Sequence, residues 1–530
     1  MVALIPARLR YRSALAFALL MGGFIPIDSA MARSPADLAD LANRFTFDGQ
    51  AFVRAIALGR DISLPEPPVT SDKRKTQPSY ADYYRCTLVP TYCVESRQRE
   101  EQNYYTFRLN LNTVFRVNAN ADVLFGIEVG DLTLGRDSSS NGPGSGGRSG
   151  GATNLETHHA HVRLHTVDGL LLADIGIFSY STPAGLVLAR SGGGSRVFWK
   201  PDTIDSVFQA LYFRAIDNSQ VDGDSNGFSD SNYSDVHIAS VSWKFTHFRS
   251  FVPELYGVYK GDGDASSSDD SQFGVRETQR MYWGGLYMQL FLGDFEFTLH
   301  GIGNWGRFSR LLAQDPGVKR VTDNPADPLS QFMRDATAPP IFHRYKTNAG
   351  AWQVEAAYQI FEPLKLTALS IGATGRPSRT REPDGSDPAY RADQFRLASG
   401  SFQLSNIAID DSGGYSIFSG GNITGVVANG GKIAWQIGEL WLIELVYLRL
   451  GSYRPIVNKY NKYYTRLQNY RDSNFLGEEW DLNVKFKAFE ELKFTLNFGY
   501  FNAGSAYKSL VDAQYGDHVA EVQFGLVAEF

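Results

Sequence analysis

The chain has 530 residues, with 51 Lys and Arg against 57 Asp and Glu, a formal charge of −6, two cysteines and a mean hydropathy of −0.25. Length alone allows about three soluble domains, but 51 Gly, 35 Phe and 27 Tyr match neither the Leu/Ala/Glu/Lys bias of helical proteins nor the extremes of disordered ones. No apolar run of about 18 residues occurs outside the N-terminus, which excludes a helical membrane protein and leaves a soluble protein or a transmembrane β-barrel, whose alternating strands keep mean hydropathy low.

Arg8, Arg10 and Arg12 precede an apolar run from Ala14 to Ile27, and Ser29-Ala30-Met31-Ala32 supplies small residues for cleavage. Residues 1–32 therefore read as a secretory signal peptide. Residues 33–43 form a short periplasmic segment, with Ser34 as N-cap and Pro35 at the first position of a short helix. Cys86 and Cys93 in an exported chain read as a disulfide closing a small loop.

From residue 44 to 530 the chain reads as one domain of alternating strands. The first nine are expected near 44–56, 103–117, 121–134, 155–167, 170–180, 195–200, 206–217, 235–247 and 251–260. The second nine are expected near 277–292, 294–304, 350–361, 364–375, 431–438, 440–450, 478–489, 491–502 and 517–530. In Tyr105, Phe107, Leu109 and Leu111 the intervening residues are Thr106, Arg108 and Asn110, and Leu492, Phe494, Leu496, Phe498 and Tyr500 repeat the period. An even count of 18 puts every short connection on one side and every long one on the other, the asymmetry of short periplasmic turns and long extracellular loops. The fold expected is an all-β transmembrane antiparallel barrel of 16 to 20 strands in the outer membrane, surrounded by lipid and acting as a monomer. A final strand ending on Phe530 is the kind of segment that barrel assembly machinery is thought to recognise. The 440–450 segment is apolar on both faces, and the stretches 305–349 and 376–430 are long enough to fold into the mouth.

Asp222, Asp224, Asn226 and Asp230 space oxygen ligands as in the first half of an EF-hand loop, with Gly227 at the sixth position, so either a structural calcium site or a solvated acidic turn is expected there. No other cofactor is implied. His159, His161, Arg163 and His165 alternate on one strand and would face the lumen as a basic wall whose charge rises below about pH 6.5, a spacing that metal sites also use. The same parity sends Arg54, Arg108, Arg116, Arg196, Arg214 and Lys244 inward on the first eight strands. Asp294, Glu296, Glu355, Glu479, Asp481 and Glu521 lie on later strands, so a basic arc facing a more acidic one is expected, with a preference for anions. No His-Glu-x-x-His, phosphate-binding Gly-Lys or Gly-x-Ser-x-Gly motif occurs, so an enzyme is not expected, and no basic, aromatic-interleaved segment points to nucleic acid.

Gly477-Glu478-Glu479-Trp480-Asp481-Leu482, followed by an alternating strand, a tight turn and Phe498-Gly499-Tyr500-Phe501-Asn502-Ala503-Gly504-Ser505-Ala506, resembles the closing hairpin of the alginate-export family of outer-membrane proteins. The resemblance covers residues 477–506 and implies an 18-stranded monomeric barrel with an arginine-lined constriction that exports an anionic polysaccharide. Parity alone nominates Arg108, Arg116, Arg163 and Arg196 for that constriction. Pro183-Ala184-Gly185-Leu186 is similar to a stretch of substrate-specific diffusion porins, for which the expectation is passive uptake of small anionic solutes. A structural or adhesive surface barrel with a plugged lumen is the third reading.

Overall fold

The computed structural model describes residues 44–60, 100–134, 154–201, 204–216, 236–247, 250–262, 275–312, 342–375, 390–391, 395–398, 402–409, 425–456, 473–506 and 518–530. The signal peptide, the 33–43 segment, Cys86, Cys93 and the loop carrying Asp222, Asp224, Asn226 and Asp230 lie outside them. Eighteen antiparallel strands close a barrel. They are β1 Phe45–Arg60, β2 Glu100–Asn118, β3 Ala121–Leu134, β4 Asn154–His165, β5 Leu171–Ser181 and β6 Ala189–Trp199. β7 Ser206–Ile216, β8 Val236–Phe245, β9 Phe251–Asp262, β10 Val275–Leu292, β11 Phe295–Leu312 and β12 Phe342–Phe361 follow. The set ends with β13 Leu364–Ala373, β14 Val426–Ile437, β15 Trp441–Ile456, β16 Ser473–Phe489, β17 Leu492–Ala503 and β18 His518–Glu529. A two-residue segment, Tyr390–Arg391, pairs in parallel with β12 as an addition to the ring.

Closure is made by β1, which pairs with β2 on one edge and β18 on the other. Phe530 and Gly49 exchange both backbone hydrogen bonds at 2.9 and 3.0 Å. A Cβ on Gly49 would lie 2.6 Å from the Phe530 ring, so the seam needs glycine there. Each of the eighteen strands is paired on both sides, which is one of the two ways a backbone can satisfy its polar groups in lipid.

The outward face carries the apolar residues. Val123, Val162, Ile175, Val241, Leu255, Leu299, Val354, Ile433 and Leu496 are all exposed there. Aromatic pairs mark the rims of this band: Phe295 on Tyr358 and Trp441 on Phe486 at the short-turn end, and Tyr282 on Trp305 at the other. Phe295 and Trp305 are ten residues apart on β11. At roughly 3.4 Å per residue and a tilt of about 40°, that separation is about 26 Å, the height of a transmembrane apolar band. Leu299→Lys, near mid-band, is expected to lower unfolding stability in lipid vesicles by about 2–4 kcal/mol. A urea titration showing no loss would mean that this face does not meet lipid.

Three sequence expectations change in extent. The strand expected at 195–200 begins at Ala189, because Gly192 and Gly194 let β6 approach β7: a Cβ at Gly194 would sit 2.1 Å from the Tyr212 carbonyl oxygen, and one at Gly192 2.1 Å from the Phe213 ring. β11 and β12 run to Leu312 and from Phe342, so the connection placed at 305–349 is shorter than expected. β14 begins at Val426, inside the stretch 376–430 read as loop.

Candidate functional site: a loop-filled lumen and an alternating charge row

Among the described residues, two connections at the long-loop end turn inward. Between β5 and β6, Thr182 is buried, and its Oγ1 accepts the Val187 and Leu188 N–H groups at 3.3 and 3.1 Å, closing a turn. Ala184 and Gly185 supply the positive φ angles, 56° and 68°, that reverse the chain. Leu186, Val187 and Leu188 are thereby buried inside the barrel.

The second inward segment comprises residues 395–398 and 402–409 of the β13–β14 connection. Its first part is tied to the wall by Phe395 N–H to Thr374 O (2.9 Å), Trp283 Nε1–H to Arg396 O (2.7 Å) and Arg396 N–H to Asn304 Oδ1 (3.1 Å). Ala398 N–H donates to Val187 O at 3.0 Å, joining the two inward segments. At its far side, Ile407 and Ala408 donate to the two oxygens of Glu479 at 2.7 and 2.9 Å, and Asn406 N–H to Asp481 Oδ2 at 3.2 Å. Glu479 is fully buried, so these bonds form away from water. A Cβ on Gly499 would lie 2.9 Å from Ile407 Cγ1, which makes glycine the seat for the loop on β17.

Apolar side chains follow these segments around the inner wall. Phe213, Ile238, Trp283, Ile371, Leu448 and Phe501 all belong to one buried cluster with Leu188, Phe395 and Ile407. Among the described residues, no apolar side chain of β2, β3 or β4 is in it. The described loop segments therefore pack onto one side of the barrel, and the inner face of β2–β4 lies outside their apolar cluster.

From that face a cross-strand charge row continues onto β5 and β6. Arg116 on β2 pairs in register with Asp122 on β3, Asp122 with Arg163 on β4, Arg163 with Asp174 on β5, and Asp174 with Arg196 on β6. Opposite charges directly across a sheet are mutually stabilising. Arg163 Nε lies 2.8 Å from Asp174 Oδ1, Arg196 Nη2 2.6 Å from Asp174 Oδ2, and Arg116 Nε 3.9 Å from Asp122 Oδ1. Arg196 also stacks on Phe178 and Phe198. Six residues farther along β3, Glu128 takes Arg108 at 3.3 Å and His158 at 2.7 Å.

Within each of these ion pairs the acid is the more buried partner. The Asp174 side chain is 0% exposed and that of Glu128 7%, against 39% for Arg108 and 75% for Arg116. The carboxylates are sunk into the wall and hold the guanidinium groups toward the lumen.

Several of the residues nominated from sequence fall elsewhere. Arg214 has the parity of exposed Phe208 and Tyr212, with Leu211 and Phe213 buried inward, so it lies on the outer face. The expected inward parity fails because the inward residues of β7 are odd-numbered. His161 points inward but is buried, its Nδ1 3.2 Å from Ile177 O and its Nε2 3.8 Å from Asp174, and is not part of a wetted wall. His159 lies over Gly126, where a Cβ would come within 2.2 Å of its ring. His165 reaches Asp122 at 3.5 Å, and Arg54 contacts Gln523 across the β1–β18 seam. Among the described residues, no group of three His, Cys, Asp or Glu side chains is placed to hold a metal ion.

His158 was not expected to face inward. A register shift between Gly126 and Ile127 inserts one residue into β4 and turns His158 to the same side as His159. The expected division into a basic and an acidic arc also changes: Asp122, Glu128 and Asp174 stand within the basic arc, and Glu479 and Asp481 of the acidic arc bind the inward loop.

No protein-family model and no curated protein sequence matches the chain. Among solved structures, it is similar to Acinetobacter baumannii OccAB2 at 11% identity and a TM-score of 0.48, over 92% of this chain and 98% of that one. Pseudomonas aeruginosa OpdK with vanillate is similar at 10% and 0.44, over 91% and 98%. The outer membrane protein OprD from Pseudomonas aeruginosa is similar at 11% and 0.43, over 91% and 93%.

Proposed function

We propose that this barrel is an outer-membrane channel for small solutes, with a preference for anions, and that the passage runs along the inner face of β2–β4. The observation that carries the reading is the one-sided filling of the lumen among the described residues. Two inward segments and their apolar cluster take the side from β5 through β18 at the long-loop end, while arginines backed by buried carboxylates line β2–β4 and the short-turn ends of β5 and β6. A guanidinium held in place by a buried acid meets a passing carboxylate or phosphate without paying the entropy of ordering a free side chain. The row Arg116–Asp122–Arg163–Asp174–Arg196 sums to one positive charge, which suits brief contacts better than tight retention, as conduction requires. A narrowed passage beside a packed loop favours small solutes over a polysaccharide chain.

Planar-bilayer recording of the purified protein tests this. The expected result is a small single-channel conductance with chloride more permeant than potassium, and with Arg108→Glu or Arg163→Glu the permeability ratio should fall below one. Block of the current by a uronic-acid polymer from one side would favour export of an anionic polysaccharide instead. Absence of conductance in protein shown to be folded and inserted would favour a structural barrel.

A further inference from the structure

The outer face of β10–β12 carries a feature that transport does not use. Arg280 on β10 is directly opposite Arg307 on β11, and Arg307 is directly opposite Lys346 on β12. All three are exposed. They share the parity of the outward residues Tyr282, Trp305 and Tyr358. With neighbouring strands about 4.8 Å apart, the three cations sit within about 10 Å of one another along the sheet. Like charges directly opposite are destabilising, and the register supplies no acid to relieve them: Arg280 has Gly261 on its other side. Among the described residues, none of the three makes an ion pair. Elsewhere on the outer wall the same problem is solved within the protein, since Arg449 stands opposite Glu478.

The height of the row identifies what solves it here. Two residues nearer the short-turn end, the next outward positions are Tyr259, Tyr282 and Trp305, whose rings contact one another at centroid distances of 5.1 and 6.4 Å. That is an aromatic rim of the apolar band, so the cations stand just beyond the hydrocarbon, at headgroup level. We infer that Arg280, Arg307 and Lys346 form a docking site for the phosphate of a membrane lipid in the leaflet at the long-loop end, with the acyl chains against Tyr282, Trp305 and the apolar wall below. This rests on the barrel being transmembrane, as proposed above.

The test uses the full chain in phosphatidylcholine vesicles, with tryptophan fluorescence quenched by brominated phosphatidylglycerol or brominated phosphatidylcholine. Trp305→Phe isolates the signal from the site. With each cation near an anionic headgroup contributing about a fivefold preference, phosphatidylglycerol should be favoured over phosphatidylcholine by at least about tenfold at Trp305. In Arg280→Ser/Arg307→Ser/Lys346→Ser the preference should fall close to one, and Arg307→Ser alone should give an intermediate value. Arg280→Lys/Arg307→Lys should keep most of it. Equal quenching by the two lipids in the parent protein would overturn the proposal, as would a preference unchanged in the triple variant. Loss of the preference on adding millimolar inorganic phosphate would also overturn it, by marking a soluble-anion site. A chain that does not float with the vesicles would fail at the earlier step and refute the transmembrane reading itself.

Discussion

Glu479→Ala should raise single-channel conductance severalfold while leaving the barrel folded. The Glu479 carboxylate is fully buried and accepts the Ile407 and Ala408 amides, at 2.7 and 2.9 Å. Leaving a buried N–H donor without an acceptor costs about 1–3 kcal/mol, so losing both bonds weakens the docked loop by roughly 3 kcal/mol or more. That changes the ratio of docked to undocked loop by about a hundredfold. The strands keep their own ladder hydrogen bonds, so heat-modifiable migration on electrophoresis should persist. Gly499→Val approaches the same contact from the wall side, because a Cβ there would already lie 2.9 and 3.0 Å from two Ile407 carbons. It should raise conductance too, without touching a charge. Unchanged conductance in both variants would mean that residues 402–409 do not narrow the passage.

This loop also explains which parts of the molecule the sequence discloses and which it does not. A lipid-facing side chain alternates with a lumen-facing one whatever lies inside, so period two is legible strand by strand, and β3 is found with its observed bounds, Ala121–Leu134. Where the lumen is filled, the alternation fades. Val446, Leu448 and Leu450 are buried under the inward segments, which is why β15 is apolar on both faces. The glycines of β6 look like a loop because their reason is the close approach of Tyr212 and Phe213 on another strand. Parity identified Arg108, Arg116, Arg163 and Arg196 as inward, but it could not pair them with Asp122, Glu128 and Asp174, because pairing depends on register between strands. His158 escaped for a related reason: a single inserted residue reverses the parity on one side of a bulge. In the 477–506 hairpin the quoted motif residues Glu479, Asp481 and Gly499 prove to be the seat of the inward loop.

Asp174→Ala should be the most destabilising single change in the lumen and should also make the channel more anion-selective. The Asp174 side chain has no exposure and holds Arg163 at 2.8 Å and Arg196 at 2.6 Å, with those arginines 31% and 13% exposed. Taking one partner from a buried ionic cluster costs about 3–5 kcal/mol, because the remaining charges stay desolvated without compensation. Urea unfolding in vesicles should show that loss, and Asp174→Asn a smaller one, since the amide oxygen still accepts from one guanidinium. The two readouts move in opposite directions for one reason. The row Arg116–Asp122–Arg163–Asp174–Arg196 goes from one net positive charge to two, so the chloride-to-potassium permeability ratio should rise as stability falls. Adding Arg163→Ala to Asp174→Ala removes one of the stranded charges. The double variant should therefore recover part of the stability and return selectivity toward the parent value, a coupling that independent sites do not show. If the two losses simply add, Arg163 and Asp174 do not act as a pair, and the ordered guanidinium face proposed for anion passage loses its support.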